Sequence, residues 1–539
     1  MTECFAGIDV GTGSVRAGIF DAAGTLLAVA KRDIRIWKEP GDIVEQSSAD
    51  IWNAVCASMR EAVDRAGIPP SAIAGIGFDA TCSLVVCGPE GQPLAVGHHG
   101  DSQRNVIVWM DHRAAGQADR INALGSPVLD YVGGIISPEM ETPKLLWLAE
   151  ELPDTFADTW QFMDLADFLT WKATGSLARS VCTVTCKWTY LAHEARWDEA
   201  YFRGIGLGTL ADEQFQRIGT EIVAAGTPLG KGLTSAAASE LGLVSGIPVA
   251  AGLIDAHAGG IGTVGARGGG GGIGSGGILN RMAYVFGTSA CTLLTTTEPT
   301  FIPGVWGPYR SAMVPDLWLN EGGQSAAGAA IDRLIRMHPA APEAAALARQ
   351  AGENLSIWLA ARAQEAGGAS AIARLVGTLH VVPEFLGNRA PFADHNARGI
   401  IAGLDMDDNL DSLVGLYMAG LAGIGYSLRQ ILNAQSAKGT QTDTIVISGG
   451  AGQSPLVRQV LADATGLSVA ATVCPEPVLL GSAILGAVAA GRFDTFDTAM
   501  ASMSEIEVVY EASAATRSWH DGRFKAFEAL QAAYRSIRG

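Results

Sequence analysis

Hydrophobic positions along the chain fall into two kinds of run. Short, nearly continuous apolar stretches end in glycine-rich turns, and longer stretches carry apolar residues at helical spacing. Residues 4–10 (CFAGIDV) read as a buried strand. The turn Gly11-Thr12-Gly13-Ser14 follows, then a strand over 15–21, a turn at Ala23-Gly24 and a strand over 26–32, a β-meander of ordinary strand lengths. Ile51, Trp52, Val55, Met59 and Val63 predict an amphipathic helix over 47–66, with Ser48 as its cap. Strands are expected at 73–78, ending at Asp79, and at 84–87, turning at Gly88-Pro89-Glu90-Gly91. Helices are expected at 143–151 and 164–173, and residues 247–254 (IPVAAGLI) read as a buried strand ending at Asp255.

The opening pattern then recurs. A strand over 282–286, a turn at Gly287-Thr288-Ser289 and a strand over 291–295 repeat the N-terminal hairpin about half a chain later. Strand, glycine turn and helix return at 445–447, Ser448-Gly449-Gly450-Ala451-Gly452 and 456–465, and 478–490 reads as a buried helix. Alternating strands and helices predict α/β architecture. The repeated hairpin predicts duplication: two similar domains, 1–264 and 265–539, facing each other across a central cleft. Between the last strand of the first and the first strand of the second, eight of the ten residues over 268–277 are glycine, which reads as a mobile loop.

Composition sharpens this picture. A chain of 539 residues with 48% hydrophobic and 17% charged residues is globular and long enough for two large domains. A net charge of −18 argues against nucleic acid and anionic membranes as partners, while leaving room for an anionic ligand held by backbone N–H groups and a metal ion. No C-x-x-C pair occurs among the eight cysteines, and most lie in apolar or Thr-rich stretches that read as strands, so buried thiols in a reducing compartment are expected. His98-His99 and Cys182/Cys186 make no four-ligand zinc spacing. The N-terminus has no signal-peptide pattern and no apolar run reaches membrane-spanning length, so the cytoplasm is the expected location.

Candidate chemistry gathers at the turns. Glycines in a tight hairpin turn let N–H groups approach a phosphate, and the hydroxyls of Thr12 and Ser14 add donors; an ordinary glycine turn has the same sequence. A dinucleotide fingerprint is excluded because Arg16 stands where the third glycine belongs and a strand follows. Around Lys231 the Walker A spacing is one residue short and Gly232 follows the lysine, so Lys231 reads as a solvated loop residue. Asp9, Asp79 and Asp255 each stand at a strand end. Such carboxylates hold hydrated Mg²⁺, accept a hydroxyl proton, or merely cap turns.

Taken together, the blocks FAGIDVGTGSVRAGIFD, GFDATCSLVV, VWMDHRA, PEMETPKLLWLAEE, VAAGLIDAHAGGIGTVGA, FGTSACTLL, FLGNRAPFADHNARGIIAGL, ISGGAGQSPLVRQVLADATG and LLGSAILGAVAAG resemble, in order, the FGGY family of carbohydrate kinases. The resemblance spans about residues 4–491 and lies nearest the ribulokinase branch, through Gly387-Asn388-Arg389-Ala390-Pro391-Phe392-Ala393-Asp394. Residues 81–86 (TCSLVV) are similar to a signature associated with D-ribulokinases, and Asp79-Ala80 stands where xylulokinases usually carry Met-His. The resemblance implies two actin-like (ribonuclease H-like) ATPase domains flanking the cleft, the first mainly sugar-binding and the second mainly ATP-binding. It implies ATP-dependent phosphorylation of a ketopentose, D-ribulose to D-ribulose 5-phosphate, with L-ribulose, ribitol and xylulose as rival acceptors and a sugar-independent actin-like ATPase as the remote alternative.

The same resemblance implies residue roles. Asp255 is the catalytic base, and Asp9 with Asp255 serves Mg²⁺. Gly11, Thr12, Gly13, Ser14, Thr288 and Ser289 cradle the phosphates, while Gly449 and Gly450 meet the adenosine. Lys187 and Glu321 contact the sugar, and Ala80, Trp109 and Asp111 line its pocket. For Trp109 the competing reading is core packing, and for Lys187 a surface lysine, which its strand-like, apolar neighbours argue against. A homodimer is compatible with such a chain, although no interface is legible in it.

Overall fold

All seven residues of strand β1, Cys4–Val10, are buried, as a strand covered on both faces requires. The computed structural model describes residues 3–268 and 277–538, so the glycine-rich stretch read as a loop lies almost wholly outside the described residues. Strand β1 lies at the centre of a five-stranded sheet with β2 (Ser14–Asp21), β3 (Leu26–Asp33), β4 (Ile73–Ala80) and β5 (Leu253–Ile254), in the order β5-β4-β1-β2-β3. A second sheet has seven strands: β6 (Arg281–Phe286), β7 (Ala290–Thr296), β8 (Trp306–Arg310), β9 (Trp318–Gln324), β10 (Thr444–Ser448), β11 (Ser468–Thr472) and β12 (Ile506–Tyr510). Their order is β8-β9-β7-β6-β10-β11-β12.

The duplication is visible in the pairing. Reading β3-β2-β1-β4-β5, two antiparallel contacts are followed by two parallel ones. Reading β9-β7-β6-β10-β11, the same sequence of contacts recurs. This is the expected α/β fold with a repeated ribonuclease H-like core. Each repeat begins with the hairpin legible in the sequence, because a strand–turn–strand unit is local, whereas the parallel partner arrives only after a long crossover.

Five helices frame these sheets and the crevice between them: α1 (Ser48–Ala66), α2 (Val181–Trp188), α3 (Asp255–Ile261), α4 (Leu410–Ser436) and α5 (Pro477–Ala489). Helix α5, buried almost all round, comes from late in the chain yet packs on β1 and β4 of the first sheet. Its backbone lies so close that a Cβ on Gly7 would meet the Leu479 carbonyl oxygen at 2.0 Å and one on Gly77 the Ser482 oxygen at 1.9 Å. Only glycine admits that approach. Among the described residues no helix is long and apolar enough to cross a membrane.

Three expectations need correction. The cap of α1 is Ser47, not Ser48: Ser47 is extended (φ −111°, ψ 122°) and its side chain accepts from the Asp50 N–H, while Ser48 is already helical. Within 247–254 only Leu253–Ile254 is regular strand. The preceding residues pair irregularly, through single bridges of Val249 to Ile76 and Ala250 to Pro228, because Pro248 brings no N–H to a ladder. The stretch around Cys182, Cys186 and Lys187 is helix, not strand. Ser180 caps it, accepting from the Cys182 N–H at 3.3 Å, and complete burial overrides the β-branched composition.

Candidate active site

Parallel pairing decides where the acids meet. Asp9 stands opposite Asp79 on β4, and Asp79 opposite Leu253 on β5, so three strands end together at one edge of the first sheet. Asp255 follows two residues after Leu253 as the first residue of α3. The crevice beyond the carboxyl ends of parallel strands is where α/β proteins place ligands.

The three carboxylates differ in surroundings. Asp9 is buried and ion-paired with the Arg16 guanidinium, which also reaches Glu476 at 2.7 Å. Asp79 is fully buried, and its Oδ2 accepts from Ser482 Oγ at 2.5 Å. Burial, with the Asp9 charge adding to it, holds the Asp79 carboxyl well above the usual carboxylate range. Asp255 is only partly covered, and burial together with Asp9 raises its pKa to about 6. A carboxylate that titrates near neutral pH and is open to the cleft suits acceptance of a hydroxyl proton. All three offer hard oxygen donors, and Asp9 with Asp255 would hold a Mg²⁺ ion of the kind that takes one or two carboxylates and keeps its waters.

The two hairpin turns have different scaffolding. In the first, the Gly11 N–H donates to the Ser14 carbonyl at 3.0 Å. Trp109 Nε1 donates to Thr12 Oγ1 at 2.9 Å and Gln46 Nε2 to the Thr12 carbonyl at 2.6 Å. Trp109 thus braces the turn from a half-buried position, and its own backbone N–H donates to Ser83 Oγ at 3.2 Å. A Cβ on Gly13 would meet nothing within 4 Å, and its φ is not in the left-handed region. Neither backbone nor packing demands glycine there; the space in front of it admits a ligand. In the second turn the Gly287 N–H donates to the Ser289 carbonyl at 2.9 Å, and the Thr288 carbonyl accepts from the Ala327 and Ala329 N–H groups at 3.0 and 3.1 Å. Gly449 and Gly450 divide structure from access. Gly449 has φ +87° with the Phe286 oxygen 2.5 Å from a would-be Cβ, whereas Gly450 is exposed with nothing within 4 Å.

A buried charged cluster joins helix α2 to the second sheet. Lys187, on α2, places Nζ 3.5 Å from both oxygens of Glu321 on β9 and 4.2 Å from the Trp306 ring centroid. Both side chains are almost wholly buried. Burial alone would lower the Lys187 pKa and raise that of Glu321; their mutual attraction wins, keeping Lys187 above its ordinary value and Glu321 down at about 2. A buried pair of this kind adds little net stability against an apolar replacement, yet removing one partner strands the other. Ala80 closes β4 beside Val10 and Ile254 and is fully buried.

Asp111 is not brought to the cleft surface. It is fully buried, with its oxygens taken by Arg113 Nε at 2.8 Å, Arg113 Nη2 at 2.7 Å and the Val44 N–H at 2.6 Å. Sequence reasoning gave no role to Arg389, whose guanidinium lies 3.2 Å from Glu139 and 5.2 Å from the Trp306 ring. A lone arginine inside the apolar, glycine-containing block 387–392 was the available signal. His257 was also missed, although it stands two residues after Asp255; its Nε2 is 3.4 Å from Glu321 Oε2.

Models of the N-terminal and C-terminal domains of the FGGY family of carbohydrate kinases match residues 4–262 and 282–490. The chain is 44% identical over 526 residues to a human FGGY carbohydrate kinase domain-containing protein, covering 97% of this chain and 95% of that one. It is 37% identical over 521 residues to a D-ribulokinase of Saccharomyces cerevisiae, covering 91% of this chain and 72% of the yeast protein. Among solved structures, a xylulose kinase from Rhodospirillum rubrum shares the fold with a TM-score of 0.77 at 21% identity, covering 99% of both chains.

Proposed function

The chain belongs to the FGGY family of carbohydrate kinases, and on that premise we propose that it transfers the γ-phosphoryl group of ATP to a terminal hydroxyl of D-ribulose. The observation that carries the reading is the pairing of a cleft-facing carboxylate of raised pKa, Asp255, with the buried Lys187–Glu321 pair. One group is suited to take a proton and the other to hold hydroxyls. The choice of D-ribulose rests on the 81–86 block and on the likeness to the yeast D-ribulokinase.

In this reading the two parts are residues 1–264, mainly for the sugar, and 265–539, mainly for the nucleotide. Gly11, Thr12, Gly13 and Ser14 cradle phosphates from one side, and Thr288 and Ser289 from the other. Gly450 lies against the adenosine, on a backbone path that Gly449 makes possible. Lys187 donates to sugar hydroxyls and Glu321 accepts from them, so an analogue lacking those hydroxyls leaves a buried charge unpartnered and is rejected strongly. Asp255 takes the hydroxyl proton as the oxygen attacks phosphorus, an effect of about 10²–10⁴-fold. Asp9 and Asp255 would hold Mg²⁺, which would supply charge neutralisation on the phosphates. Closure of the cleft excludes water, which would otherwise compete as acceptor.

The test is ADP release by the purified protein with Mg-ATP against a panel of ketopentoses and pentitols. A kcat/KM for D-ribulose about tenfold above every other acceptor, or ~1.4 kcal/mol of discrimination, is expected. Preference for L-ribulose, ribitol or xylulose would move the acceptor and keep the kinase. Sugar-independent ADP release would sink the kinase reading.

A further inference from the structure

Beside the Lys187–Glu321 pair lies a cluster that phosphoryl transfer does not use. Cys182 and Cys186 are four residues apart on α2 and so share one face of it. His257, on α3, points into that face with Nδ1 2.9 Å from Cys182 Sγ. All three side chains are completely buried, and one ligand atom from each lies within 4.8 Å of the others. On its far side the imidazole presents Nε2 to Glu321 Oε2 at 3.4 Å. Metal-binding histidines are commonly held in this way, one ring nitrogen on the metal and the other backed by a carboxylate that fixes ring orientation.

We propose that Cys182, Cys186 and His257 form a site for one soft metal cation of the Zn²⁺/Cu(I) class, which clips the helix bearing Lys187 to the strand end bearing Asp255. The donor set decides the class of ion. Two sulfurs and an imidazole select these ions, whereas Mg²⁺ takes oxygens, so the site is chemically separate from the carboxylates at the strand ends. The dimensions agree. Tetrahedral bonds to sulfur and nitrogen put ligand atoms about 3.5–3.8 Å apart. Against that, the present Cys182–His257 separation has to open by roughly 0.6 Å. With three protein ligands the fourth position is left to a small exogenous ligand. Because the ligands are fully buried, the ion is loaded as the chain folds.

The proposal is tested on the full chain expressed in zinc-supplemented and, separately, cobalt-supplemented medium. Bound metal is measured by mass spectrometry after gel filtration, and cobalt–thiolate charge transfer by near-ultraviolet absorption. About one zinc per chain and a thiolate–cobalt band are expected for the parent and for Cys56→Ala, a buried cysteine elsewhere. Cys186→Ala should lose at least nine-tenths of the metal and the band. Cys182→Ala should do the same, and if it does not fold, Cys186→Ala decides. Metal-free parent protein from both media, or equal metal in Cys186→Ala, overturns the site. These readouts involve neither sugar nor nucleotide, so they stand or fall independently of the proposed kinase substrate.

Discussion

The two sheets share strand order and hairpin, yet their strand ends carry opposite chemistry. In the first, Asp9 stands opposite Asp79, with Asp255 beyond the next strand. At the matching places in the second, Val285 stands opposite Ser448, and β11 runs on into Val473 and Cys474. One half gathers three carboxylates; the other offers neutral side chains and glycine backbone. The difference teaches that duplication supplied the frame and that a few charge changes divided the work. Backbone N–H groups of glycine turns suit phosphates, and proton transfer needs an acid held near neutrality.

The largest test of this asymmetry is Asp255→Asn. It should lower kcat by about 10²–10⁴-fold while nucleotide affinity, measured calorimetrically, stays within a few-fold. If turnover survives, the acidic half is not where the chemistry resides. The same group predicts the acid limb of the rate profile. Proton acceptance needs the ionised carboxylate, and its pKa is about 6, so kcat/KM in the free enzyme should fall tenfold per pH unit below about 6.

Next comes Lys187→Met, which leaves the buried Glu321 carboxylate without its lysine partner. A loss of ~3–5 kcal/mol in unfolding free energy is expected from denaturant titration, together with a raised KM for the sugar. The parent also carries a pH signature. Glu321 titrates at about 2 when folded against an ordinary 4.5, so the stabilisation it brings is full above 4.5 and fades as pH falls toward 2. In Lys187→Met that fading should be weaker, with only His257 and Arg389 left to favour the carboxylate.

Two glycines, one in each half, sharpen the comparison of the turns. Gly449→Ala must place a side chain at φ +87° against the Phe286 backbone and should cost ~1–3 kcal/mol of stability. A Cβ at Gly13 meets no protein atom within 4 Å, so Gly13→Ala should leave the melting temperature in place and raise KM for ATP about tenfold, ~1.4 kcal/mol. Equal loss of stability in both would remove the distinction between structural and ligand-facing glycines. Smallest is Trp109→Phe, which deletes the hydrogen bond to Thr12 and should weaken ATP by roughly 1 kcal/mol, about fivefold in KM.

Much of this was legible because it is local. The hairpins, α1 and the buried helix α5 follow from runs of apolar residues and glycine turns that sit together in the chain. The extended reading of the Cys182–Lys187 stretch failed because β-branched propensity is weak where an N-cap and complete burial favour helix. Asp111 could not be told from a pocket residue in one dimension, since its partners Val44 and Arg113 reach it only after folding.

What the sequence determined by itself was the duplicated α/β frame, the glycine turns and the three strand-end acids, because each is written in neighbouring residues. Only the tertiary structure decided that Lys187 meets Glu321, 134 residues away, and that His257 faces Cys182, 75 residues away. Such pairs carry no local signal. They exist because parallel strands and packed helices bring distant segments to one edge, where burial makes each charge or donor depend on the partner it finds.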